Sequence, residues 1–178
     1  MNRLAFSLRV VCALPVALLV ACSGGDAGRN DPGTKSDAII GGVADTGTAA
    51  HPAVVFLTHG GSGCTGTLIA PKLVLTARHC VSQNITTQIG CDLNGNSTNG
   101  DHVGADFTPS TIQVRTGVNP GGAAVAVGAQ LFHPPGANLC GKDIALLVLN
   151  QAIAGVTPQK IRTTAPPLIG ELCTAVGY

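Results

Sequence analysis

Charge is scarce in this 178-residue sequence: 11% of its residues are Asp, Glu, Lys or Arg, the formal net charge is +1, and no basic run occurs. Without a basic patch the electrostatic footprint of a nucleic-acid binder is missing, and nothing selects an acidic partner. No segment sustains a helical apolar period, which argues against a helical bundle. The apolar stretch from Val10 to Val20 is too short to span a bilayer. The seven cysteines include no C-x-x-C pair, so a zinc set drawn from Cys64, His79, Cys80, Cys91 and His102 lacks the usual spacing. Asp92, Asp101 and Asp106 lie in one polar insertion, but no ligand series ending in Glu accompanies them, as a calcium loop would require.

What is present is apolar and turn-rich. Hydrophobic residues make up 45%, mean hydropathy is +0.36, and 24 Gly and 11 Pro interrupt short β-branched runs. That pattern suits an all-β barrel or sandwich, and the length suffices for one core. Strands are expected at 53–58, 64–70, 73–77, 111–116, 123–133 and 144–149. Residues 159–172, with Pro166 and Pro167, read as a connector.

The densest information lies in Cys64 to Cys80. Two short apolar runs, 65–70 and 73–77, are hinged at Pro71-Lys72 and read as an antiparallel pair. Cys64 and Cys80 fall at its open end. A bond between them closes a loop worth roughly 3 kcal/mol in the chain-entropy model and pins His79 beside the bridge. Cys91 and Cys140, which flank the insertion between His79 and Asp143, make a second pair. Cys173 is left over. His51, His59, His102 and His133 read as surface residues.

Leu75-Thr76-Ala77-Arg78-His79-Cys80 resembles the histidine motif of the trypsin-like, chymotrypsin-fold serine proteases. Ile39-Ile40-Gly41-Gly42 resembles the mature N-terminus of that family, which begins at Ile39. Lys142-Asp143-Ile144-Ala145-Leu146-Leu147-Val148-Leu149 resembles its aspartate motif, and Cys173 to Tyr178 the first strand of its second barrel, where Trp is usual in place of Tyr178. The three main motifs stand in the family's order. The resemblance implies a six-stranded antiparallel barrel of the double-barrel fold, with only the first strand of the second barrel.

The resemblance also implies the chemistry. His79 is the general base and Asp143 its orienter, held in a low-dielectric site by the strand that follows. Protein or peptide substrates are expected, with no cofactor and no metal. The nucleophile of the family lies in Gly-Asp-Ser-Gly-Gly, and none of Ser7, Ser23, Ser36, Ser62, Ser82, Ser97 or Ser110 stands in that setting or follows Asp143. In this reading the sequence is the N-terminal portion of a protease and inactive as written. The competing reading is a non-catalytic surface lipoprotein that uses one barrel as a binding module. Two further departures are Arg78, where the family has Ala, and Ala38 ahead of Ile39, where trypsin-like zymogens carry Lys or Arg. A cation at 78 must reach solvent or find a carboxylate.

Residues 1–21, with Arg3 and Arg9 before the apolar stretch, have the build of a secretory signal. Leu19-Val20-Ala21-Cys22 resembles a bacterial lipobox, which implies lipidation of Cys22 and a membrane anchor; an ordinary signal peptide is the alternative. Residues 22–38 read as a flexible tether and 39–178 as the protease domain. Either route exports the chain, to the outer membrane or cell surface or as a secreted protein.

Overall fold

The computed structural model describes residues 51–118 and 120–178. Ile39, Cys22, the signal and the tether lie outside the described residues.

Eight strands and two 3-10 turns follow one another: β1 (Val54–His59), β2 (Ser62–Ala70), β3 (Leu73–Thr76), a turn at Arg78–Cys80, β4 (Ser82–Asn84), β5 (Val103–Asp106), a turn at Pro109–Thr111, β6 (Gln113–Arg115), β7 (Ala126–Phe132) and β8 (Ala145–Leu149). Six of them close an antiparallel barrel in the order β1, β2, β3, β8, β7, β6, with β6 returning to β1. The hairpin β2–β3 turns through Pro71 and Lys72, with Ala70 opposite Leu73. Side chains alternate along each stave. Val55, Leu57, Leu68, Val74, Val114, Leu147 and Leu149 therefore face inward and are at most 1% exposed. Each such side chain contributes about 1.5–3 kcal/mol on burial.

Two strands were not anticipated. β4 and β5 form a separate two-stranded sheet in which Ser82 faces Asp106 and Asn84 faces Val103. The strand expected from Thr111 begins at Gln113, because Pro109 opens a 3-10 turn that takes up Thr111. Residues 173–178 make no ladder; a closed barrel has no free edge to offer them. They are held by Tyr178 instead, whose backbone N–H donates to Thr65 Oγ1 over 2.9 Å and whose ring packs on Phe56 with centroids 5.2 Å apart.

His102 departs from its expected surface position and is 1% exposed. The polar insertion folds over it: its backbone N–H donates to Ala137 O over 3.0 Å, and its ring bonds to Leu139, Asn99 and Ser97.

Candidate active site

The 3-10 turn at Arg78–Cys80 continues β3 past the end of the barrel. It is closed by Cys80 N–H to Ala77 O (3.2 Å) and Val81 N–H to Arg78 O (3.0 Å). A disulfide from Cys80 to Cys64 on β2 fastens it to the staves. On the facing side, the ladder of β3 with β8 puts Thr76 opposite Ala145. That register brings His79 alongside Asp143, two residues before β8.

Asp143 grips His79 at two points. Its Oδ1 accepts from the His79 backbone N–H over 3.0 Å, and its Oδ2 lies 2.7 Å from His79 Nδ1. A carboxylate can only accept, so Nδ1 carries a proton, and in the neutral ring Nε2 then presents a lone pair. No described residue hydrogen-bonds Nε2. Asn84 on β4 adds a third hold, donating from Nδ2 to His79 O over 3.2 Å.

The environment of the carboxylate differs from the low-dielectric site expected. The side chains of His79 and Asp143 are 43% and 31% exposed. Asp143 precedes the strand, and only from Ala145 onward does the alternation of β8 point residues into the barrel.

Arg78 does not reach solvent, and among the described residues no carboxylate pairs with it directly. It is 5% exposed and donates from Nη1 to Pro134 O (3.3 Å) and to Gly136 O. Behind it, Asp106 accepts from Ser82 Oγ and from His133 Nε2, each over 2.7 Å. Partial burial pushes the Asp106 carboxyl upward. The hydrogen bonds from His133 and Ser82, with the charges of His133 and Arg78, outweigh this and hold it below its ordinary value. His133 is therefore a partner of this network rather than a free surface residue, and its side chain is 17% exposed.

Of the sulfur and imidazole groups weighed as a zinc set, Cys64, His79 and Cys80 do converge, within 4.8 Å. The two sulfurs are bonded to each other, so neither is a thiolate ligand. Cys91 is bonded to Cys140, and His102 Nδ1 is occupied by Leu139 N–H. Cys173 is a free, exposed thiol. Asn84, Ser82, Asp106 and His133 were not singled out as site residues in the sequence. The one local signal near them was the unusual Arg78.

The family described as Trypsin matches residues 39–178. The cercarial protease of Schistosoma mansoni is 33% identical over 105 residues, which are 59% of this chain and 38% of that one. A solved Glu endopeptidase in complex with MPD is 28% identical, with a TM-score of 0.40 over 67% of this chain and 50% of that one. The chain thus spans half or less of the length of these two relatives.

Proposed function

Because the chain belongs to the trypsin family, matched over residues 39–178, we propose that it supplies the imidazole and carboxylate of a serine endopeptidase, His79 as general base and Asp143 as its orienter. The observation that carries this reading is the two-point hold of Asp143 on His79, at 2.7 and 3.0 Å, on a turn fastened by a disulfide. With Nδ1–H directed at the carboxylate, Nε2 can take the proton of an attacking hydroxyl. Asp143 then stabilises the positive ring that results, and Nε2 returns the proton to the leaving amine.

Neither a Gly-Asp-Ser-Gly-Gly segment nor any serine follows Asp143 in these 178 residues. The nucleophile, the oxyanion donors and the substrate pocket would have to be supplied by further residues, and the proposed activity of this polypeptide alone is nil. The exposed Ile161, Leu168, Ile169 and Leu172 of the connector fit a segment that such residues would cover. Coding DNA read past Tyr178 tests this: a Gly-Asp-Ser-Gly-Gly segment with a further cysteine, in any frame, upholds it. A stop codon followed by a soluble, monodisperse product would favour the binding-module reading. An ester and peptide panel on the refolded chain, with a serine-directed covalent inhibitor, supplies the second check. Turnover abolished by label on one of the present serines would overturn the assignment.

Two disulfides, Cys64–Cys80 and Cys91–Cys140, suit an oxidising compartment and so an exported protein. We further propose that Ile39 becomes the N-terminus on activation and that Cys22 is acylated, anchoring the chain to a membrane. The substitution Cys22→Ser should release it from the membrane fraction, and an unchanged distribution would identify a plain signal peptide.

A further inference from the structure

One buried cation stands directly behind His79. Arg78 shares its 3-10 turn, and its guanidinium has left water for a site where no described carboxylate pairs with it directly. Nη1 donates to two backbone carbonyls, and Nε has no hydrogen-bond partner among the described residues. Removing a guanidinium from water is costly, so the contacts it does make are held against a strong pull toward solvent. Asp106, bonded to Ser82 and His133, feels the Arg78 charge as the smallest of the influences that lower its carboxyl.

The identity of the two carbonyls matters. Pro134 and Gly136 lie 56 and 58 residues from Arg78 in sequence, in the connection from β7 to β8, and the far end of that connection is Asp143. The turn that carries His79 and the connection that carries Asp143 are therefore tied together twice, once at the dyad and once through Arg78. The dyad is open to water, at 43% and 31% side-chain exposure, where competing solvent and screening weaken a pair. The donor of the Arg78 tie is buried, and the carbonyls it reaches belong to half-buried Pro134 and exposed Gly136.

Resting on the assignment of His79 and Asp143 made above, we propose that Arg78 is a positioning residue: its buried guanidinium clamps the His79 turn to the connection that delivers Asp143 and so sets their separation. It touches no reacting atom. Asn84 adds a separate hold on the same turn, donating to His79 O.

Proton NMR of the full, oxidised chain tests this through the His79 Nδ1–H resonance, identified by its loss in His79→Ala and Asp143→Asn. Arg78→Met keeps a long apolar side chain but no donor, and Arg78→Lys keeps a charge that can reach one carbonyl. The wild type should show the resonance; Arg78→Met should lose it with both disulfides intact. Arg78→Lys should retain it with solvent exchange about tenfold faster, the factor set by loss of one hydrogen bond to a charged group. A wild-type resonance in folded Arg78→Met would overturn the proposal, since a role confined to stability would not move it. If Arg78→Met does not fold, Arg78→Lys decides alone: faster exchange supports the clamp and wild-type exchange overturns it. Absence of the resonance from the wild type would instead overturn the His79–Asp143 assignment, and the clamp with it.

Discussion

His102 accepts at Nδ1 a hydrogen bond from the backbone N–H of Leu139 over 3.1 Å, while its Nε2 lies 2.9 Å from Asn99 Oδ1 and 3.1 Å from Ser97 Oγ. One ring thus ties Ser97 and Asn99 of the insertion to Leu139 of the connection that leads to Asp143. The acceptor role of Nδ1 fixes the ring proton on Nε2.

Replacing His102 by Ala should cost about 2–4 kcal/mol, because it leaves the Leu139 N–H unsatisfied and opens a cavity. Denaturant unfolding of the oxidised chain measures this. A loss under about 1 kcal/mol would show that water reaches the vacated space and satisfies the amide.

Acid should weaken the fold through Asp106. Its carboxyl is held below 3.8, the value of a free aspartate, so it adds stability above that pH and loses it as pH falls through the lower folded value. Asp92, bonded chiefly by the Asn96 backbone, is lowered in the same window, and Glu171, bonded chiefly by Arg162, is lowered from an ordinary value of 4.5, so its window opens at higher pH. The substitution Asp106→Asn should lower stability at neutral pH and flatten the acid limb without abolishing it. An unaltered acid limb in urea titrations would contradict this.

The disulfide between Cys91 and Cys140 spans 49 residues, against 16 for Cys64–Cys80. In the chain-entropy model its loss costs about 4 kcal/mol, compared with roughly 3 for the shorter loop. The double substitution Cys91→Ser with Cys140→Ser should therefore lower the unfolding midpoint at least as much as removal of the shorter bridge. Peptide mapping without reduction should recover both pairs.

Gly128 marks a close approach rather than a turn. A Cβ there would fall 2.5 Å from Pro109 O and 2.6 Å from a Leu147 methyl, with the backbone oxygen unable to rotate away. The substitution Gly128→Ala should cost about 1–3 kcal/mol or more by overpacking. Thermal unfolding at the wild-type temperature would mean that the 3-10 turn at Pro109 moves freely.

The barrel was legible because its signals are local: β-branched runs of strand length, and a hairpin punctuated at Pro71-Lys72. β4 was not, since Ser82-Gln83-Asn84 has no apolar alternation, and its pairing with β5 is fixed by a polar contact 24 residues away, Ser82 to Asp106. The burial of His102 was hidden for the same reason, its setting being polar and its partners backbone or amide groups. His79 and Asp143 stood out through their flanking motifs. The exposure of Asp143 did not, because it depends on the carboxylate lying before the stave. The partners of Arg78 are carbonyls of a distant connection, and a carbonyl leaves no trace in residue type.

The ladder between β3 and β8 has a kinetic meaning. Leu73 faces Val148 and Thr76 faces Ala145, so this seam joins stretches some 70 residues apart, and His79 meets Asp143 only where it has zipped. Pairings of such long range are entropically late and slow, on the order of milliseconds to seconds for all-β topologies. A nascent or unravelled chain therefore has no aligned imidazole, and the dyad comes into being with the closure of the cylinder.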